Sequence, residues 1–256
     1  FGQNPGTNHP RMLGELRRAV KRGASVLAFN PLRERGLERF ADPQDALEML
    51  HNGSERIASE YYQLRIGGDL AAVAGMIKHV LERDTEERAA SRAPLLDDAF
   101  IAEHTDGFAA FRTGIEALHW HDLEAQSGLS EARLRDAGKR YLHAERAIIC
   151  WGMGITQHRR SVATIQMLVN LMLLRGHVGR PGAGICPVRG RMASTPSARS
   201  RRCAMAAASC SSRWAATSPP PRRIPRPRMP RFATATSPCT WRPSSTAAIW
   251  CTAGMR

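Results

Sequence analysis

A short apolar run that ends at glycine, near the middle of the chain, most constrains the fold. Residues 147–151 (AIICW) are apolar, and Gly152 and Gly154 follow at once. An apolar run of this length bounded by glycine predicts a buried strand of a parallel sheet. Glycine lets the backbone turn sharply at the carboxyl end of the strand and approach a ligand closely. We expect a ligand-binding turn here, because open α/β sheets bind ligands at that end.

The segments around this run alternate between helical and strand patterns. Apolar residues recur at helical spacing over residues 161–174, and Gly176 stands where a helix C-cap is expected. Residues 26–30 form another short apolar run, and residues 61–66 alternate like a strand before an apolar helix over residues 70–81. The glycine- and proline-rich segment that follows Gly176 lacks periodicity and is interpreted as a loop. This order of elements predicts an α/β fold.

Two motifs beside the central run resemble a known enzyme family. Residues 152–158 (GMGITQH) and 179–184 (GRPGAG), with PVRG at 187–190, are similar nearly residue for residue to molybdenum oxidoreductases that carry two molybdopterin guanine dinucleotides. The most similar branch is formate dehydrogenase alpha-subunit-like and includes acid-resistance-associated proteins. As a general dinucleotide fingerprint the first motif fails, because Gln157 stands at the third glycine position of GxGxxG.

The resemblance implies a fold, a cofactor and a reaction. It implies that residues 1–190 form part of a doubly wound, mostly parallel α/β sheet, the family's cofactor-binding core, which is incomplete here. The implied cofactor is molybdenum bis(molybdopterin guanine dinucleotide). The implied parent is a cytoplasmic, formate-dehydrogenase-like oxidoreductase that moves two electrons and protons between a small-molecule substrate and the metal, and uses an electron acceptor. In such enzymes the cofactor does the redox chemistry while the protein binds and orients it.

The resemblance also assigns cofactor-binding residues. Glycine lets main-chain N–H groups face phosphates, and an asparagine side chain both donates and accepts hydrogen bonds. The residues that match family positions are Gly2, Gln3, Asn4, His9, Asn30, Arg33, Gly68, Asp69, Gly152, Met153, Gly154, Gln157, His158, Arg180, Gly182, Gly184 and Arg189. The sequence identifies no catalytic residue.

Several of these residues also have a purely structural interpretation. Asp69 is a good N-cap for the helix that follows it. In the family the matching carboxylate binds guanine, whose N1–H and N2–H₂ edge can pair with a carboxylate. Residues 2–5 also fit a plain turn, Arg33 a solvated loop charge, and His158 a helix residue that faces solvent. The sequence leaves both interpretations open at each position.

The sequence offers no metal ligand. Residues 1–190 contain only Cys150 and Cys186, too few for an iron–sulfur cluster, and Cys186 does not match the family's molybdenum-ligand position. The chain does not begin with Met, so we interpret it as a fragment. The longer parent would carry the metal-ligand loop and any 4Fe–4S cluster, whose ligands are absent here. We expect this chain to bind the cofactor weakly and not to turn over. It has no apolar run long enough to span a membrane.

The composition changes near the end of the chain. The net charge is +14, yet residues 191–256 hold 12 arginines and neither lysine nor acid, which leaves 25 basic and 23 acidic residues in residues 1–190. One interpretation is a disordered basic tail. Such a tail would neutralise nucleic-acid phosphates, although it lacks patterned aromatic or lysine positions, which argues against a nucleic-acid partner. A non-catalytic α/β scaffold is a further alternative.

A second interpretation of residues 191–256 is translation in the wrong reading frame. Arginine, alanine, serine, threonine and proline dominate there, a bias that a high-GC gene produces out of frame. In the shifted frame, each new codon joins the third base of one codon to the first two bases of the next. The residue pairs 192–193, 205–206 and 214–215 (Met-Ala, Met-Ala and Trp-Ala) can then encode only glycine. The remaining pairs permit strings similar to the next part of the family. We infer a deletion and a frameshift after about Gly190.

We predict that sequencing the locus across the codons for residues 190–256 will join the alternative frame to a continuous, longer reading frame. The forced glycines and the order of the permitted strings are the reason for this expectation. A genomic sequence that keeps the present frame, with a genuine start and stop, would contradict the frameshift and leave the basic-tail interpretation.

Overall fold

The computed structural model describes residues 1–40, 54–188 and 248–249, and short strands alternate with longer helices in that part of the chain. The helices are α1 Pro5–Asn8, α2 Pro10–Lys21, α3 Arg35–Glu38, α4 Asp69–Ala89, α5 Asp98–His104, α6 Phe108–Glu116, α7 Trp120–Ser127, α8 Glu131–His143, α9 Met153–Thr156 and α10 Ser161–Leu173. The strands are β1 Leu27–Asn30, β2 Arg39–Phe40, β3 Glu55–Arg56, β4 Glu60–Gln63, β5 Thr105–Asp106, β6 Ile148–Trp151, β7 Gly184–Pro187 and β8 Ala248–Ile249. Apart from β8, the interpretations of residues 191–256 fall outside the described residues.

Parallel strand pairs dominate the described strands. β1 pairs with β4 from Leu27 opposite Glu60 to Asn30 opposite Gln63. β6 pairs with β7 from Ile148 opposite Gly184 onward. β5 and β8 are also parallel, whereas β2 and β3 are antiparallel. The α/β prediction with mostly parallel strands is therefore confirmed, although each described sheet has only two strands.

The first two residues of the chain connect the two longer parallel pairs. The amino group of Phe1 donates to the Cys150 carbonyl oxygen at 2.9 Å, and the Gly152 N–H donates to the Phe1 carbonyl oxygen at 3.1 Å. On the other side, the Gly2 N–H points to the Phe29 carbonyl oxygen at 3.4 Å. These contacts place the carboxyl ends of β1 and β6 beside each other.

Helix α4 forms the centre of the core. It is 21 residues long, and every residue over the range 70–81 is buried, which is the pattern of a helix surrounded by protein on all sides. It packs against α7, α8 and α10. Gly75 allows the close approach of α8, because a Cβ there would lie 3.0 Å from a methyl carbon of Leu134. None of the described helices is both long and apolar enough to cross a bilayer.

The end of α4 is fixed by a buried carboxylate. Asp84 has no exposed surface. It accepts the N–H groups of Leu95 at 2.8 Å and Leu96 at 3.3 Å, and Arg88 donates to it at 2.7 Å. A buried charge is tolerated when it is paired and hydrogen-bonded in this way. This carboxylate holds the loop after α4 against the core.

The structure corrects the interpretation of the segment after Gly176 as a loop throughout. Residues 184–187 form β7, which completes the pair with β6. Glycine and proline are poor strand formers, so the local sequence gave no sign of this strand. The predicted strand over residues 61–66 is also shorter, because a turn with Gly67 at a φ of +82° follows β4.

Gly176 helps to end α10, as predicted, but the C-cap residue itself is Leu174, two positions earlier. Gly176 has a φ of +59°, its N–H donates to the Leu173 carbonyl oxygen at 3.2 Å, and the His177 N–H donates to the Met172 carbonyl oxygen at 3.0 Å. This is the hydrogen-bond pattern of a Schellman motif. The motif turns His177 into the interior, where it has no exposed surface and its ring packs edge-on against Tyr141 at 5.6 Å.

We predict that His177 makes the protein less stable in acid. Burial, assisted by Arg175 and Arg180, lowers the pKa of His177 to about 4, whereas an unfolded histidine titrates near a pKa of about 6.5. Between these values the unfolded chain binds a proton that the folded chain does not. The free energy of unfolding should therefore fall by about 3 kcal/mol as the pH falls from about 6.5 to about 4.

Urea denaturation at a series of pH values measures this effect. Both ring nitrogens of His177 lack a hydrogen-bond partner among the described residues, so His177→Leu removes buried polar atoms and should flatten the pH dependence. His121→Leu, at an exposed position, is the control. An unchanged slope in His177→Leu would show that other groups cause the acid sensitivity.

Candidate functional site

The carboxyl ends of β1, β4 and β6 carry most of the residues that the sequence singled out. The segments that follow these ends, together with the start of the chain, are residues 1–4, 31–34, 64–69 and 152–158. We call them the carboxyl-edge loops. The carboxyl ends of parallel strands are where α/β proteins bind ligands, and the contacts of Phe1 and Gly2 bring the ends of the two separate pairs side by side.

Glycines allow two of these loops to touch through their backbones. The Gly154 N–H donates to the Gly2 carbonyl oxygen at 3.0 Å, and a Cβ on Gly154 would lie 2.7 Å from that oxygen. A Cβ on Gly2, which has a φ of +55°, would lie 2.7 Å from the Ile155 nitrogen. A Cβ on Gly152 would lie 2.8 Å from the Gln3 Cβ. These glycines therefore allow the two loops to pack closely. The N–H groups of Gly152 and Gly154 donate to protein carbonyl oxygens and are not free to bind a ligand.

The polar residues at the start of the chain organise their own loop. The Asn4 side-chain oxygen accepts the Thr7 N–H at 3.2 Å and caps α1. The Gln3 side-chain nitrogen lies 3.2 Å from the Nδ1 of His9. Gln3, Asn4 and His9 therefore lie close together beside Gly2, and their side chains support the loop itself.

The polar side chains at the end of β1 and just after it form hydrogen bonds and ion pairs with residues nearby in the sequence. Asn30 is 8 % exposed, and its side chain donates to the Leu32 carbonyl oxygen at 2.7 Å and to Glu34 at 3.1 Å. Arg33 is exposed and pairs with Glu38 at 2.7 Å, while its guanidinium lies 5.6 Å from the centre of the Tyr61 ring. The charge of Arg33 is therefore compensated by Glu38.

Asp69 has an unusual environment at the first residue of α4. Gly68 occupies the N-cap, so the alternative in which Asp69 is the N-cap is wrong. Gly68 itself is packed tightly, because a Cβ there would lie 2.8 Å from the Ser127 carbonyl oxygen. The Oδ1 atom of Asp69 is buried and has no hydrogen-bond partner among the described residues. Burial raises the pKa of Asp69, while the amino group of Phe1, the Asp69 backbone N–H and His158 act in the opposite direction.

His158 lies across the loop that leads into α4. It is half-buried, and a Cβ on Gly67 would lie 2.6 Å from its Nε2 atom. Its Nδ1 atom accepts the Arg160 N–H at 3.2 Å. His158 thus contacts the β4–α4 loop and influences Asp69, which does not fit the alternative of a solvent-facing helix residue. Nearby, Met153 is 48 % exposed and Gln157 is also exposed.

Residues 180–184 of the second motif lie apart from the carboxyl-edge loops. Gly184 begins β7 opposite Ile148, so it lies at the amino ends of both strands. A four-residue strand spans about 10 Å to its other end. Arg180 pairs with Asp97 at 3.2 Å, and a Cβ on Gly182 would lie 3.3 Å from the side chain of Arg146. Arg180, Gly182 and Gly184 are thus near the edge opposite the carboxyl-edge loops, and Arg189 is outside the described residues.

Two open clefts flank these regions. One of about 450 Å³ lies beside Arg180 and Asp97. The other, of about 380 Å³, lies beside β4 and includes Arg33, Gln63 and Arg133 in its lining. The smaller cleft adjoins a carboxyl-edge loop through Arg33, and the larger one includes Arg180 of the second motif. No group of three or more histidine, cysteine or acidic side chains that could hold a metal ion occurs among the residues that the structure describes.

Two participants were not identified from the sequence. Gly67 makes room for the ring of His158, and the Gly-Gly pair before Asp69 was the available signal. Phe1 joins β6 through the Cys150 carbonyl oxygen and the Gly152 N–H. Its ring stacks on Phe29 with a centroid distance of 4.2 Å. No local pattern marks such a contact between residues distant in sequence.

Comparison with known proteins places these features in a family context. The family model described as Molybdopterin oxidoreductase matches residues 1–222. Protein YdeP of Escherichia coli (strain K12) is 54% identical over 190 residues, which is 74% of this chain and 25% of that protein. Uncharacterized oxidoreductase Rv2900c of Mycobacterium tuberculosis (strain H37Rv) is 43% identical over 189 residues, 74% of this chain and 24% of that protein.

Two further proteins are more distantly similar. Formate dehydrogenase H of Escherichia coli (strain K12) is 31% identical over 191 residues, 75% of this chain and 23% of that protein. The structure of acetylene hydratase from Pelobacter acetylenicus matches with a TM-score of 0.52 and 19% identity, over 67% of this chain and 20% of that one. This last likeness concerns the fold alone. The chain spans about a quarter of the length of the curated relatives it matches.

We predict that Gly154→Ala destabilises the protein by about 1–3 kcal/mol, the usual cost of inserting a methyl group into a filled space. The new Cβ would lie 2.7 Å from the Gly2 carbonyl oxygen. Gly14→Ala is the matched control, because nothing lies within 4 Å of its Cβ position in α2 and alanine favours a helix by about 1 kcal/mol. Urea denaturation compares them. Equal stability of the two variants would contradict the proposed contact between the loops.

Proposed function

We propose, from the premise that this chain belongs to the molybdopterin oxidoreductase family, that its carboxyl-edge loops bind the guanosine end of a molybdopterin guanine dinucleotide. Family membership confirms the resemblance seen in residues 152–158 and 179–190. It implies a molybdenum–pterin cofactor. The guanine dinucleotide form and the residues that hold it are our proposal.

The orphaned Oδ1 atom of Asp69 is the observation that carries this proposal. A buried acceptor without a partner costs about 1–3 kcal/mol, and a ligand that supplies donors would recover that cost. Guanine presents adjacent N–H donors on one edge, which a carboxylate can accept together. Adenine lacks this pair of donors. A guanine ring is therefore the base that best fits Asp69.

The surroundings of Asp69 are consistent with such a ligand. Burial raises the pKa of Asp69, while His158 acts in favour of the ionised carboxylate, which is the form that accepts both guanine donors. The hydrogen bonds from Gly152 to Phe1 and from Gly154 to Gly2 hold residues 152–154 in place. The exposed side chain of Gln157 offers amide groups for ribose or phosphate. These residues would bind and orient the cofactor.

The remaining assignments concern the longer protein. We propose that it is a cytoplasmic, formate-dehydrogenase-like oxidoreductase with two pterin dinucleotides, a small-molecule substrate and a separate electron acceptor. The 31% identity with Formate dehydrogenase H supports this. When bound, the cofactor supplies the molybdenum centre that exchanges two electrons. A 4Fe–4S cluster in the longer protein belongs to the same proposal, and so does the inability of this chain alone to turn over.

The residues of the later motif have a different part in the proposal. Arg180, Gly182 and Gly184 were assigned to the cofactor by resemblance, yet they are near the opposite edge of the β6–β7 pair. We propose that they stabilise the loop before β7, through the pair between Arg180 and Asp97. The cofactor contacts of this chain are then confined to the carboxyl-edge loops.

We predict that Asp69→Asn weakens binding of GDP, used as a fragment of the cofactor, by about tenfold to 100-fold. One well-placed bidentate contact is worth about 1–3 kcal/mol of base discrimination, and an asparagine amide cannot accept both guanine donors. Isothermal titration calorimetry with GDP and ADP measures the loss. The preference for GDP over ADP should disappear in the variant.

Asp122→Asn is the control, since it makes the same charge change at an exposed position in α7. GDP binding to the unsubstituted chain should also weaken in acid, because burial raises the pKa of Asp69 and protonation removes an acceptor. If GDP and ADP bind equally in the unsubstituted chain, or Asp69→Asn binds GDP as tightly as Asp122→Asn does, a scaffold without a guanine site would be the better account.

A further inference from the structure

Two cysteines face each other directly below the carboxyl-edge loops. Cys150 on β6 and Cys186 on β7 are paired in register. Neighbouring strands lie about 4.8 Å apart, which falls within the range of about 4.4–6.8 Å that separates the Cα atoms of disulfide-bonded cysteines. Residues paired in register also direct their side chains to the same face of the sheet. The backbone can therefore accept a bond between the two sulfur atoms.

The two thiols lie on the more open face of the β6–β7 pair. Ile149 and Trp151 are 8 % and 6 % exposed and belong to the core. Side chains alternate along a strand, so Ile148 and Cys150 point to the other face, where Ile148 is 61 % exposed. Cys150 and Cys186 are both free and half-buried. Neither thiol is therefore fully buried on this face.

The contact between the thiols makes them chemically unequal. Cys150 donates a hydrogen bond to Cys186, which lowers the pKa of Cys186 below its ordinary value. The same hydrogen bond, together with burial, raises the pKa of Cys150. Cys186 is therefore the thiol of the pair that loses its proton more readily, and the thiolate is the nucleophilic form of cysteine. Cys150 keeps its proton until its partner has reacted.

We propose that Cys150 and Cys186 are a redox modification site, at which a small-molecule disulfide such as glutathione disulfide oxidises them to a reversible disulfide between β6 and β7. The Cys186 thiolate attacks one sulfur of glutathione disulfide, whose S–S bond breaks and releases one glutathione thiolate. Cys150 passes its proton to solvent and attacks the Cys186 sulfur, which expels the second glutathione. Two protein thiols are oxidised, and one glutathione disulfide is reduced to two glutathione molecules.

The position of the bond gives it a structural consequence. Cys150 precedes Gly152 by two residues, and Gly152 donates to the Phe1 carbonyl oxygen. A disulfide would fix β6 to β7 next to residues 152–154, where the loops meet. This inference does not depend on the identity of any nucleotide that the loops bind.

Peptide mapping of the full chain tests the proposal. The chain is incubated with glutathione disulfide at neutral pH, quenched in acid, alkylated and digested with trypsin. Cys150 lies in the peptide 147–159 and Cys186 in the peptide 176–189, each of which contains one cysteine. We expect a dominant cross-linked species of these two peptides, which dithiothreitol separates again. In the reduced chain, iodoacetamide should alkylate Cys186 several-fold faster than Cys150.

The denatured chain provides the matched control. Six cysteines allow 15 complete pairings, so random oxidation would join this particular pair in about a fifth of molecules. Cys150→Ser should stop at a mixed disulfide of Cys186 with glutathione. A yield of the Cys150–Cys186 disulfide in the native chain that is no higher than in the denatured chain would overturn the proposal. Stable glutathionylation of Cys186 without a bridge in the unsubstituted chain would overturn it as well.

Discussion

The fold of the described residues depends on one contact that only glycine permits. Gly154 donates to the Gly2 carbonyl oxygen, and a Cβ at either glycine would overlap backbone atoms of the opposite loop. Because Phe1 and Gly2 also bond to β6 and β1, the contact aligns the ends of both parallel pairs. Loops from distant parts of the sequence thereby meet at one edge. This contact acts together with the hydrogen bonds of Phe1 to Cys150 and Gly152, which join the same distant segments.

The same arrangement accounts for the unusual state of Asp69. The buried helix α4 carries this carboxylate to the edge, and Gly68 packs so tightly against the end of α7 that it leaves no space for a side chain. His158 closes over the preceding glycine, Gly67. The carboxylate is therefore held in place by packing and keeps an unused acceptor atom. If Asp69 had no ligand, replacing it with an apolar residue would remove the free-energy cost of the unpaired Oδ1 atom and stabilise the protein. This is why we connect Asp69 to ligand binding.

The sequence predicted those features that depend on local pattern and failed where contacts are long-range. The strand before Gly152 and the end of α10 near Gly176 each follow from a few neighbouring residues, and both were predicted. Strand β7 could not be anticipated, because its pairing with β6 outweighs the poor strand propensity of its glycine and proline. The motif that contains Arg180 matched the family by residue type, but residue type does not specify the edge of a sheet. The burial of Asp69 also depends on three separate segments and has no local signal.

Hydrogen–deuterium exchange of the full chain, with and without GDP, tests most directly the claim that the carboxyl-edge loops form one nucleotide-binding site. The account predicts that GDP slows exchange in peptides covering residues 1–9, 64–69 and 152–158 together, because these loops share one set of contacts. Peptides covering residues 176–184 should exchange at the same rate in both samples. Protection confined to residues 176–184, or protection of only one carboxyl-edge loop, would contradict the account.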